Sequence, residues 1–119
     1  MRKIGSEWEA AVEAWLHTSG LRPIARNYFC RYGEIDLIMR DGDSVVFIES
    51  RYRNTGDGVA SVGASKRMKL QRAASMYLQA HPALANAPCR FDVVGCRGTP
   101  EKPAFDWVRG AFDADQWAQ

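Results

Sequence analysis

Two short runs constrain this chain more than anything else in it: Gly33-Glu34-Ile35-Asp36-Leu37-Ile38 and Val46-Phe47-Ile48-Glu49-Ser50-Arg51. Both read as apolar β-strands, and Asp41-Gly42-Asp43 between them is a turn signal, so together they form a hairpin. Acidic residues and an arginine interrupt segments otherwise suited to a sheet core. A carboxylate buried there costs several kcal/mol unless something positive compensates it. A divalent metal ion is a common compensator, which makes this hairpin the place to look for chemistry.

Strand parity sharpens the expectation. Side chains alternate between faces, and directly paired residues share one. A two-residue loop at Asp41-Gly42 sets Glu34 opposite Glu49, with Asp36 diagonal to it. A loop at Gly42-Asp43, or a four-residue loop, sets Asp36 opposite Glu49 and Glu34 opposite Arg51. Every even loop therefore gathers Asp36, Glu49 and Arg51 on one face; a three-residue loop separates them unless a bulge restores the parity. Carboxylates that close repel one another. A hard cation such as Mg²⁺, which binds through one or two carboxylates and keeps several waters, relieves the repulsion. Phosphodiester hydrolysis uses such a site: the metal polarises the phosphate and acidifies an attacking water, and a fixed cation stabilises charge on the phosphoryl oxygens. The bare Asp/Glu/Arg spacing is short and degenerate, and a solvated hairpin face carries the same residues. Against that stands Val45-Val46-Phe47-Ile48, apolar on both faces, which implies that Glu49 emerges from a buried, central strand.

The rest of the chain supplies the setting. Trp8, Ala11, Val12, Trp15 and Leu16 form an amphipathic stripe on a helix over residues 7–18. Ser6 is its N-cap, Glu9 completes a capping box, and Gly20 ends it. A strand over residues 23–30 precedes the hairpin strands, residues 34–40 and 44–52. Residues 53–58 form a loop. A second helix follows over residues 64–80, stopped by His81-Pro82, with Met68, Ala73, Met76, Tyr77 and Ala80 as its buried side. Residues 90–96 form a fourth strand, residues 105–108 a short edge strand, and a brief helical tail closes the chain. Asp92 reads as a polar anchor for a neighbouring loop. The order αβββαβ(β) describes a mixed α/β (α+β) domain spanning residues 1–119, with a central mixed sheet of four to five strands flanked by helices.

Composition excludes several classes. At 119 residues, with 46% hydrophobic and 25% charged content, the chain supports one ordinary globular core without staples. Three cysteines (Cys30, Cys89, Cys96) give no even disulfide framework and no zinc spacing; they read as small buried thiols in a reducing compartment. The basic N-terminus leads into no apolar segment, and no run approaches a membrane span, so the expectation is a cytoplasmic protein without membrane contact. Charge is uneven: residues 22–72 carry ten Lys/Arg against six Asp/Glu. Lys66, Arg67, Lys69 and Arg72 crowd the start of the second helix, where cations oppose the helix dipole. An anion would relieve them, because free N–H groups and cations both attract phosphate; a solvated charged face is the alternative. Arg53 and Arg31 extend the basic surface. Trp8, Trp15, Tyr77 and Phe91 suit the core better than stacking platforms.

These strings, taken together, resemble the YraN-like family of small bacterial proteins, assigned to the Holliday-junction-resolvase-like branch of the PD-(D/E)xK nuclease superfamily. The resemblance runs through Gly5, Glu9 and Asn27 and the first hairpin string. It continues along residues 47–53, Lys66 and Arg90-Phe91-Asp92-Val93-Val94. It implies a restriction-endonuclease-like core and a Mg²⁺- or Mn²⁺-dependent DNA endonuclease, with branched or structured DNA as substrate. Carried over by position, Asp36 and Glu49 are metal ligands and the main-chain carbonyl of Ser50 is a further one. Glu9 approaches from the first helix, where the capping box is its competing role. The chain departs from the family in having Glu49-Ser50-Arg51 where the usual motif reads Glu-Val-Lys. Arginine stays protonated, so Arg51 can hold a phosphate but cannot act as a base. The alternatives are a nucleic-acid-binding module without turnover and an adaptor whose basic helix docks an acidic protein. Acting on a two-fold junction would imply a homodimer, by analogy.

Overall fold

The computed structural model describes residues 6–52 and 62–112. Gly5, Arg53, the loop expected over residues 53–58 and the expected helical tail therefore lie wholly or largely outside the described residues. The elements run α1 (Ser6–Thr18), β1 (Arg22–Cys30), β2 (Gly33–Asp41), β3 (Ser44–Tyr52), α2 (Ala64–Ala80), a 3₁₀ turn (Pro82–Leu84), β4 (Cys89–Gly98) and β5 (Pro103–Phe112). The five strands form one sheet in sequence order. Neighbours are antiparallel except β3 and β4, which are parallel. A parallel pair needs a long crossover, and α2 supplies it.

The helices cover opposite faces. Trp8, Val12 and Leu16 of α1 pack on Leu37, Met39, Val46, Ile48, Val94 and Cys96. Leu70, Ala73, Ala74, Tyr77 and Leu78 of α2 pack on Ile35, Ile38, Val45, Phe47, Phe91 and Val93. Residues 45–48 thus divide between the two cores, as an apolar run buried on both faces must, and β3 is the middle strand. This mixed sheet with helices on both sides is the arrangement expected of a restriction-endonuclease-like core. Among the described residues no helix is long and apolar enough to cross a membrane.

Local signals explain the helix ends. Gly20 has φ of 100°, and its N–H donates to the His17 carbonyl while that of Leu21 donates to Leu16. This is the Schellman arrangement, closed by apolar contact between the buried Leu16 and Leu21.

Three expectations need correction. The buried stripe of α2 is Leu70, Ala73, Ala74, Tyr77 and Leu78, not the set containing Met68 and Ala80; Met68 is 50% exposed. The i, i+3, i+4, i+7, i+8 series begins at Leu70, and Met68 lies across the helix from it. The edge strand runs through Pro103–Phe112 rather than four residues, because a bulge between Phe91 and Val93 lets pairing resume beyond Val108. Of the cysteines, only Cys96 is buried; Cys30 and Cys89 are half-buried. Trp8, Tyr77 and Phe91 are buried in the core as expected.

Candidate metal-binding site

The hairpin loop is even. Asp41 pairs with Ser44, leaving Gly42-Asp43 as a two-residue loop, and Gly42 takes the positive φ of 61° that such a turn requires. The ladder runs back from there to Leu37↔Ile48. Beyond that pair the Asp36 carboxylate meets β3 directly: its Oδ2 accepts the Ser50 N–H at 2.9 Å and the Ser50 hydroxyl at 3.1 Å. Ser50, expected to offer a carbonyl, thus acts on Asp36 through two donors.

The single-face argument needs revision at this point. Leu37 belongs to the α1-side core and Ile35 to the α2-side core, although unbroken alternation would put both on one face. β1 switches at the same level. Arg26 is bonded to Glu13 of α1, whereas Tyr28 lies edge-on to Tyr77 of α2. The residues between them are Asn27, with φ of 55°, and Asp36. Asparagine tolerates this left-handed conformation better than other L-residues. The kink turns Glu34, paired with Phe29, toward α1.

The consequence is a cluster drawn from two elements. Glu9 on α1 and Glu34 and Asp36 on β2 offer carboxylate oxygens within 4.8 Å of one another and can hold a metal ion. Glu9 is only 2% exposed; its side chain belongs to this group, which a capping role alone would not predict. Burial is the main influence raising the Asp36 pKa; the charges of Glu34 and Glu9 add to it, and the two Ser50 hydrogen bonds oppose it. Burial and the neighbouring Asp36 push Glu49 up to about 7 against the pull of Lys66 and Arg51. At Asp36 and Glu49 burial and mutual repulsion outweigh the opposing hydrogen bonds and cations, and an all-oxygen donor set is the kind that Mg²⁺ and Mn²⁺ select.

The expected site residues separate into groups. Asp36 and Glu49 are electrostatic neighbours, and Arg51 acts on Glu49 from along the same strand. Glu34 sits in the acidic cluster although sequence reasoning left it out of the ligand set; its i, i+2 spacing from Asp36 was the available signal. Of the basic residues, Lys66 reaches the site: its Nζ lies 3.3 Å from Glu49 Oε2. Lys66 and Lys69 line a cleft of about 210 Å³ with Tyr32, Gly33, Glu34 and Leu70. Arg31 and Arg72 stand 5.1 and 5.7 Å from the Tyr32 ring centroid. Arg67 turns back on the chain, donating to the Val62 carbonyl at 2.7 Å.

The remaining acidic strand residue is built differently. Asp92 is 1% exposed and accepts hydrogen bonds from Arg90, from Trp107 Nε1 and from the Gly110 N–H. Arg90 also bridges to Asp41 at 2.9 Å. Asp92 is therefore an anchor, as its sequence context suggested, and what it anchors is the bulged strand β5.

Comparison with known proteins places the chain in a family. Residues 8–96 match the model of "Uncharacterised protein family UPF0102". A UPF0102 protein of Xanthomonas oryzae pv. oryzae is 53% identical over 114 residues, covering 93% of this chain and 92% of the relative. One from Stutzerimonas stutzeri is 45% identical over 113 residues, covering 92% and 94%. One from Pseudomonas syringae pv. syringae is 44% identical over 117 residues, covering 95% of each. The matched segment runs from within α1 through the acidic hairpin and α2 to Cys96 of β4, and the chain belongs to the UPF0102 family.

Proposed function

We propose that this protein is a metal-dependent DNA endonuclease. The observation that carries the reading is the meeting of Glu9, Glu34 and Asp36 within 4.8 Å, beside Glu49 and a cleft with two lysines. Asp36, oriented by Ser50, is the central ligand; Glu9 and Glu34 complete the set, and Glu49 stands next to it. Mg²⁺ or Mn²⁺ held there would polarise a phosphodiester and acidify an attacking water. Lys66 and Lys69 draw the phosphate backbone toward the carboxylates. Arg51 contributes a permanent positive charge on the strand of Glu49, suited to stabilising phosphoryl oxygens and unable to take a proton. The resolvase resemblance favours branched or structured DNA as substrate.

The permanent charge of Arg51 favours a second reading, a DNA-binding protein of the same fold with little or no turnover. Calorimetric Mg²⁺ and Mn²⁺ titration, run beside cleavage assays on duplex, single-stranded and four-way DNA, separates the two. The nuclease reading expects metal uptake and cleavage, both lost in Asp36→Ala. Salt-dependent binding without cleavage, with activity appearing only in Arg51→Lys, supports the binding module. No metal uptake and no cleavage on any substrate overturns the nuclease.

A further inference from the structure

We propose that the cleft between the β1–β2 turn and the start of α2 is a phosphate subsite, and that Lys66 couples its affinity to metal binding at the neighbouring carboxylates. The coupling rests on the metal-site reading above; the subsite itself does not.

The cleft is shaped and charged for a small anion. Lys66 and Lys69, one turn apart on α2, form one wall, and Tyr32 and Gly33 form the other. Arg31 and Arg72 flank the Tyr32 ring and add positive charge behind it. α2 has no acidic residue in its first turn and no side-chain cap on its N-terminus. One wall residue opposes an anion: Glu34, which lines the cleft and also belongs to the carboxylate cluster.

Lys66 stands between the two sites. Its side chain is 52% exposed, so the ammonium has room to move, whereas the Glu49 carboxylate it contacts at 3.3 Å is 12% exposed. Without a metal ion, Lys66 is the ion-pair partner of Glu49, and Arg51 adds a weaker pull. A divalent ion that takes over that role frees the ammonium for the cleft and offsets the repulsion from Glu34. Both effects have the same sign, so the metal tightens anion binding. By reciprocity the anion tightens metal binding by the same factor.

The test is NMR titration of the full chain with inorganic sulfate, a tetrahedral anion that stays soluble with Mg²⁺, in EDTA and then in saturating Mg²⁺. Shifts are expected at Tyr32, Gly33 and Lys69, with sulfate affinity rising about tenfold when Mg²⁺ is present. Lys69→Gln weakens sulfate in both conditions. Lys66→Gln reduces the Mg²⁺ enhancement to about twofold or less, the remainder due to Glu34, and tightens Mg²⁺ itself by removing a competitor. Thymidine dinucleotides with and without a 5′-phosphate then distinguish a terminal phosphate from a backbone phosphate as the natural occupant. Sulfate shifts away from the cleft while Mg²⁺ binds overturn the subsite and leave the metal reading standing. Full enhancement in Lys66→Gln overturns the coupling alone. Failure of the wild type to take up Mg²⁺ overturns the metal reading and the coupling with it.

Discussion

Two carboxylate sites in this protein are built on opposite principles. Asp92 is nearly inaccessible, and all its partners come from the fold: a guanidinium, an indole N–H and a backbone N–H. Asp36 and Glu49 are half-buried beside other carboxylates, and burial with mutual repulsion drives their pKa values upward. A buried charge with a full set of donors anchors structure. One crowded by like charges costs stability and marks a place where an added cation would be favourable. The contrast separates an aspartate that the fold satisfies from one whose surroundings would favour an added cation.

The sharpest way to break the contrast is to remove each group. Asp92→Ala strands the Gly110 and Trp107 donors and leaves the Arg90 guanidinium with Asp41 as its remaining partner among the described residues. It should destabilise the protein by about 3–5 kcal/mol, the usual loss when one partner of a buried pair is removed; the urea midpoint measures it. Asp36→Asn should act in the opposite direction in metal-free protein. The amide oxygen still accepts from Ser50 while the repulsion with Glu9, Glu34 and Glu49 disappears, so a gain of roughly 1–3 kcal/mol is expected, together with loss of Mg²⁺ uptake by calorimetry. A large loss of stability in Asp36→Asn would assign Asp36 to the same class as Asp92.

The pH dependence is the next test. The folded-state pKa of Glu49, about 7, lies above its ordinary value of 4.5. Between those values the folded state therefore binds more protons than the unfolded one. Its stabilising contribution is complete below pH 4.5 and is lost as pH rises through about 7. The urea midpoint in EDTA should fall across that window, and Mg²⁺ should restore most at the upper end, where the carboxylates are charged and able to bind it. A profile that rises steadily through the window in EDTA would contradict the crowding. The smallest effect is at the far end of the Asp92 network. Gly110 has φ of 58° with open space where a Cβ would project, so Gly110→Ala should cost only about 1–2 kcal/mol, the backbone penalty of that conformation, by thermal or urea melting.

Much of the fold was legible in the chain because the signals are local. The Val45–Ile48 run fixes a strand buried on both faces, Gly20 ends the first helix, and Asp41-Gly42-Asp43 marks the turn, whose even loop only the strand pairing decided. The α2 stripe was misread because Met68 and Leu70 are both apolar, and only packing against the sheet decides which of them faces it. The site was legible in part for a related reason. Asp36 and Glu49 were visible as acidic residues in apolar surroundings and Glu9 only through the family resemblance, but strand parity treats a strand as regular, and the strands here are not.

What the sequence determined by itself is the list of elements, the middle position of β3, the acidic hairpin and the basic start of α2. All of these follow from periodicity, turn chemistry and charge within a few residues. Beyond the Asp36–Glu49 pair, tertiary structure decided which charges meet. The kink at Asn27 and Asp36 turns Glu34 toward Glu9, the crossover through α2 carries Lys66 to Glu49, and the bulge in β5 delivers the Gly110 N–H to Asp92. Each joins residues far apart in the chain through a departure from regular geometry, and a local pattern carries no record of either the distance or the departure.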